Sequence, residues 1–278
     1  MNLPLIDSFI ELERAAADCF WKSENRTAWR DDLLRLREAA NILPLKEQFI
    51  PPEVHSVKQS LREAPVLMWD EDLLHCLTGC QLQKNEQETF EDVIELLKKK
   101  RRNTLTGIFL RPGFWMNTSW TEQEAPLREA LSTAKENGGF IMRCGFLTQA
   151  TDILWTADLG FSGIQIHARG LDLFELQMAI ELARDCRLSP VVSVSSPDDL
   201  ELVLQTDAPH IAICQLATPS KGSAFNLLSE ALARIPKNCS RLLMTTAMTQ
   251  NEIRLLLKQG LDAILFYTAI ENSSIAER

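Results

Sequence analysis

The sequence predicts an α/β fold, a (β/α)8 TIM barrel with an N-terminal helical extension. Three observations predict it. From about residue 64 to residue 270, short apolar runs alternate with amphipathic helical stretches, and the runs number eight. Several runs are continuously apolar, as strands buried on both faces of a parallel sheet must be. The chain has 278 residues, room for one barrel of ~250 residues and a modest extension. Eight strand–helix units in one chain point to a closed barrel, whose chemistry sits where strands end and loops begin.

The first 64 residues read as helical. Leu5, Phe9, Leu12 and Ala16 recur at helical spacing, as do Leu33, Leu36 and Ala40. Pro44 and Pro51-Pro52 interrupt the pattern, and Val54–Leu61 reads as one more short helix running into Pro65. No flexible linker follows, so residues 1–64 are expected to pack on the barrel and residues 1–278 to form a single domain.

The expected strands are Val66–Trp69, Gly107–Leu110, Phe140–Met142, Gly163–Ile166, Val191–Val194, Ile211–Cys214, Leu242–Met244 and Ala263–Phe266. The helices between them are clearest in the second half. Leu173, Leu176, Ile180 and Ala183 share one face of Leu171–Cys186. Pro197-Asp198-Asp199-Leu200 has the proline and acids of a helix start. Gln250–Gln259 ends at Gly260, a helix-stop glycine.

Composition narrows the function classes. Hydrophobic residues make up 45% of the chain, enough for a large core. No apolar run approaches the ~18 residues of a membrane span. Met1–Phe20 carries Asp7, Glu11, Glu13 and Asp18, unlike a secretory signal. A cytoplasmic protein with no membrane partner is expected. The net charge of −9 argues against nucleic acid, whose binding rests on Lys and Arg neutralising phosphates. The basic run Lys98–Arg102 ends a predicted helix, where cations suit the dipole.

Seven cysteines, an odd number, spread through strands and helices and fit reduced thiols better than a disulfide framework. His75-Cys76-x3-Cys80 has the look of half a metal site, but no second pair stands at ligand spacing. Neither a metal nor a cofactor is expected.

Several segments resemble one family. Met142-Arg-Cys-Gly-Phe146 stands where that family has leucine-arginine-lysine-aspartate-phenylalanine. Phe114-Trp115 resembles its paired phenylalanines. Residues 190–200 resemble its fifth strand and following helix, Ile211–Gln215 its sixth strand, and Asn251–Leu265 its seventh helix and eighth strand. The family is indole-3-glycerol phosphate synthase, a tryptophan-biosynthesis barrel with a helical N-terminal extension. The resemblance runs nearly the whole length, carried by spacing more than by signature motifs.

It implies a decarboxylating ring closure of a carboxyphenylamino-deoxyribulose phosphate, a carbon–carbon lyase reaction. That chemistry uses lysines on the family's strands one and three, glutamates on one, five and seven, an asparagine on six and a serine on seven. A general acid must protonate a leaving hydroxyl while charged groups stabilise developing charge.

In this chain the strand-three lysine falls on Cys144, the strand-five glutamate on Ser193 and the strand-six asparagine on Cys214. The arginine after it falls on Leu216 and the strand-seven glutamate on Met244; the serine has a near match in Thr245. The first strand's glutamate-valine-lysine becomes Met68-Trp69-Asp70-Glu71, without a lysine. Two phosphate-binding glycines fall on Thr246 and Tyr267. Pro219-Ser220-Lys221-Gly222 resembles the family's serine-proline-serine-lysine-glycine segment but follows strand six rather than strand one.

Other polar residues remain at the expected strand ends. Arg111, Arg143 and Arg169 could converge on a carboxylate or phosphate, or pair with Asp70, Glu71 or Asp172. Ser193, Gln215, Thr245 and Thr246 are further ligand-binding candidates. His167 is the one candidate general base near the mouth, with Cys144 and Cys214 as candidate nucleophiles beside it. His210 opens a strand at the opposite end and reads as structural.

The expectation is a divergent member of the family, inactive in the family reaction and kept as a binding or interaction scaffold. The alternatives are the lyase with a rewired site, or a sensor of small anionic or phosphorylated molecules. A protein partner is the other expected contact.

Overall fold

The computed structural model describes residues 25–42, 67–69, 72–74, 76–81, 105–109, 120–137, 140–147, 149–214, 223–245 and 250–268. In chain order these form helix α1 (Asn25–Ile42), strands β1 (Leu67–Trp69), β2 (Asp72–Leu74), β3 (Cys76–Gln81) and β4 (Leu105–Phe109), and helix α2 (Trp120–Glu136). Strand and helix then alternate: β5 (Phe140–Cys144), α3 (Thr151–Leu159), β6 (Gly163–His167), α4 (Leu173–Asp185), β7 (Ser189–Val194) and α5 (Pro197–Val203). The chain continues with β8 (His210–Cys214), α6 (Ser223–Arg234), β9 (Ser240–Thr245), α7 (Gln250–Lys258) and β10 (Ala263–Thr268).

Strands β3 to β10 close into one parallel barrel, with β10 returning to pair with β3. The architecture is the expected (β/α)8 barrel, and seven expected strands fall on β4 to β10. The first does not. Leu67–Trp69 pairs antiparallel with Asp72–Leu74 in a separate two-stranded sheet. The barrel's first strand is instead Cys76–Gln81, whose Gly79 lies in register with Gly107 on one side and Tyr267 on the other. The match of Met68-Trp69-Asp70-Glu71 to a first barrel strand is therefore overturned. Cys76 and Cys80 share β3, and His75 lies outside the described residues.

Two apolar layers follow from alternation along the strands. One face of each strand looks into the barrel. There Phe140, Met142, Val191, Ala212, Leu242, Met244, Ala263 and Leu265 pack together, a filled core rather than a pore. The other face carries residues such as Ile141, Ile164, Val192, Ile211, Leu243 and Ile264 against the surrounding helices.

The helix ends carry recognisable caps. Asp172 and Glu175 form a reciprocal capping box at the start of α4. Ser196 caps α5, with Pro197 in its first turn. Gly160 ends α3 with φ of 96°, a left-handed stop that favours glycine.

Helix α1 packs against α4 and buries Trp29 and Leu33 in the outer core. Arg30 lies over the Phe174 ring at 4.9 Å and 3.9 Å from Asp172. Among the described residues no helix is long and apolar enough to cross a membrane.

Candidate functional site

Side chains at the C-terminal strand ends, the barrel mouth, divide by face. Cys144, His167, Ser193, Cys214 and Met244 occupy inward positions on β5 to β9. Arg143 and Thr245 fall on the alternate, outward positions.

Arg143 is the largest departure from expectation. Its guanidinium does not reach the mouth. It is buried between β5 and α3, where it donates to Thr156 Oγ1 at 3.4 Å and stands 3.8 Å from Asp152 Oδ2. Burial pushes its pKa down, and the Asp152 charge opposes that shift. The anion-binding convergence of Arg111, Arg143 and Arg169 thus loses one member to a structural ion pair. The partner is Asp152, not Asp70, Glu71 or Asp172. Arg169 lies half-buried in the turn after β6. Arg111, Gln215 and Thr246 lie outside the described residues, as do Leu216 and Pro219–Gly222. Thr245 is buried at the end of β9 on the helix side.

His167 closes β6 and faces inward. Its ring meets Phe146 edge to face, with centroids 6.0 Å apart. Burial lowers its pKa from 6.5 to about 4, while the Asp199 carboxylate pulls weakly the other way. The imidazole is neutral at pH 7 and is no ready source of a proton. Asp199 itself is occupied: its Oδ2 accepts from Ser195 N and from Ser195 Oγ, both at 2.9 Å. In the neighbouring register position Ser193 is buried and donates to Ile166 O at 3.4 Å.

The two inward thiols sit in apolar company. Cys144 is buried among Met142, Phe140 and Leu265. Cys214 donates to Met244 Sδ at 3.8 Å. Such apolar packing disfavours the thiolate a nucleophile needs, while the Arg143 charge reaches Cys144. Among the described residues no group of three or more His, Cys, Asp or Glu is placed to hold a metal ion. His210 opens β8 at the opposite end of the barrel and is buried there.

One inward residue escaped the sequence reading. Gln165, two positions before His167, is buried, and its Oε1 accepts from Gly145 N at 3.2 Å. The signal lay in Gly163-Ile-Gln-Ile-His167, where polar residues alternate with isoleucine. That alternation marks β6 as a strand whose inner face is not wholly apolar.

No known family matches the sequence, and no curated protein matches it either. Solved structures do resemble the chain in shape. A thiamine phosphate pyrophosphorylase from Pyrococcus furiosus has 14% identity and a TM-score of 0.48, over 70% of this chain and 85% of that one. A glycerol uptake operon antiterminator regulatory protein from Listeria monocytogenes has 10% identity and a TM-score of 0.45, over 69% and 91%. A native KDPGal structure has 12% identity and a TM-score of 0.47, over 75% and 93%. These likenesses leave ligand and reaction to be argued from the residues themselves.

Proposed function

We propose that this chain is a divergent relative of the indole-3-glycerol phosphate synthases that does not perform their ring closure and keeps the barrel as a binding or interaction scaffold. One observation carries the reading. The inward residues that end β5 to β9 are Cys144, His167, Ser193, Cys214 and Met244, and none of them is a lysine, arginine, aspartate or glutamate. The family reaction needs an ammonium group and carboxylates at such positions. A positioned acid or base is worth ~10²–10⁴ in rate, and one donor to developing charge ~10²–10³. A neutral wall on these five strands removes most of that stabilisation together. The filled apolar interior supports the same reading, because it stabilises the barrel without exposing reactive groups.

The test is direct. Purified protein is incubated with the carboxyphenylamino-deoxyribulose phosphate, and indole fluorescence and carbon dioxide release are followed. The expected result is a rate indistinguishable from buffer. Turnover that scales with protein concentration would sink the proposal in favour of a rewired lyase.

A further inference from the structure

The last turn of α2 holds a lysine with little around it to balance its charge. Lys135 is half-buried where α2 meets the end of α3. Its Nζ donates to Phe161 O at 3.5 Å, a long contact. Among the described residues no carboxylate pairs with it. Asp158, on α3, is held by Arg128, and Glu136 accepts from Ser132 Oγ. Burial therefore lowers the Lys135 pKa from 10.5 to about 8 with no opposing charge.

Gly160 leaves room beside this amine. It ends α3 with φ of 96° and carries no side chain. A carbon built at its Cβ position would stand 3.9 Å from Lys135 Nζ. Its own chain neighbours apart, no other described atom lies within 4 Å of that point. A reacting carbon can thus come up to the nitrogen over Gly160. Lys135 ends α2 and Phe161 precedes β6, so this notch lies where the barrel strands begin, at the end opposite the mouth.

We propose that Lys135 is a modification site, its amine taking the acyl group of a small thioester through the notch over Gly160. The Nζ lone pair attacks the acyl carbonyl carbon and the carbon–sulfur bond breaks. The thiolate leaves with its electron pair, and Nζ gives one proton to water. Nothing is oxidised or reduced. The product is a secondary amide, which has no charge to desolvate. It keeps one N–H for the Phe161 carbonyl. A lysine in a tight ion pair would strand its partner on acylation, and Lys135 strands none. The inference goes beyond the scaffold reading and is independent of it, because it uses no residue of the mouth.

The test treats the full chain with S-acetyl-N-acetylcysteamine and times acetylation of each lysine by peptide mass spectrometry. Lys258, exposed in the last turn of α7, is the comparison. At about pH 7.5 Lys135 holds roughly 10² times more free amine than an ordinary lysine, and its lower basicity offsets part of that gain. Its acetylation is expected to run about tenfold faster than that of Lys258, or more. The Lys135 rate should level off above about pH 8. Unfolding in urea should abolish the difference between the two lysines. Gly160→Asn, whose side chain tolerates left-handed backbone and fills the notch, should slow Lys135 severalfold and leave Lys258 unchanged. Should that variant fail to fold, the pH profile and the urea comparison decide on the parent chain. Lys135 reacting no faster than Lys258 overturns the proposal. So does a difference that persists in urea, a Lys135 rate still climbing tenfold per pH unit at about pH 9, or an unchanged rate in folded Gly160→Asn.

Discussion

The Arg143 guanidinium stands 3.8 Å from the Asp152 carboxylate, and both side chains are shut away from water between β5 and α3. A residue at a barrel mouth in the sequence is thus a strut on the outer side in the fold. Removing one partner strands the other charge in the interior. Asp152→Ala should therefore lower stability by about 3–5 kcal/mol, measured by urea denaturation. Replacing both, as Arg143→Met with Asp152→Leu, should recover much of that loss. An Asp152→Ala variant as stable as the parent would show that the pair contributes nothing.

His167 should make the fold acid-sensitive. Its folded pKa, about 4, lies below the ordinary 6.5 because burial disfavours the charged ring. Between those values the unfolded chain binds more protons than the folded one, so stability falls as pH drops through that window. The full effect is at most about 3 kcal/mol, reached only below the folded pKa. His167→Phe should flatten that part of the profile. Equal slopes for parent and variant between about pH 6.5 and about pH 4 would exclude this origin.

Gly163 opens β6 where there is no room for a methyl group. A Cβ there would come within 2.8 Å of Phe140 Cζ and 2.9 Å of the Ser189 carbonyl oxygen. The phenyl ring can turn, but the backbone oxygen can shift only by bending β7. Gly163→Ala should destabilise by about 1–3 kcal/mol, read as a fall in the thermal midpoint. A neutral result would mean the β6–β7 spacing is more pliable than this geometry.

Trp29 tests how far α1 belongs to the barrel's stability. It is buried against the helix layer, and Arg30 beside it bridges to Asp172 and Phe174. Trp29→Ala should cost about 3–5 kcal/mol if α1 and the barrel unfold together. A separate early transition, with the main one unmoved, would instead show that α1 melts alone.

The strands legible in the sequence were those buried on both faces. Val191–Val194 and Ile211–Cys214 are apolar at nearly every position, and each lies within its observed strand. The barrel's first strand was not legible, for a physical reason. Cys76-Leu-Thr-Gly-Cys-Gln81 mixes small and polar residues, since its Gly79 sits in register beside Gly107 and Tyr267. The more apolar Leu67–Trp69 fits a barrel strand better by composition, yet it pairs antiparallel with Asp72–Leu74 outside the barrel.

At the mouth, the sequence places Cys144, Ser193 and Cys214 at strand ends, and the structure turns all three inward. The outward turn of Arg143 is hidden in the sequence, because its neighbours on both sides are apolar and Asp152 lies nine residues on. Gln165 stands in the sequence as one polar residue between two isoleucines. Only its contact with Gly145, across to the end of β5, shows its place.

A barrel has no free edge, yet its hoop is only as tight as its least-laced join. That join is β5 with β6, held in register by two residue pairs, Met142 with Gly163 and Arg143 with Ile164, where every other junction has four or five. Just above it the ladder gives way to a side-chain stitch, Gly145 N to Gln165 Oε1. Transient parting of the wall should begin there, and amide hydrogen exchange at Gly145 should outpace that of the β7–β8 amides. The oxygen of the Gln165 amide thus fastens the hoop where its strand-to-strand lacing is shortest.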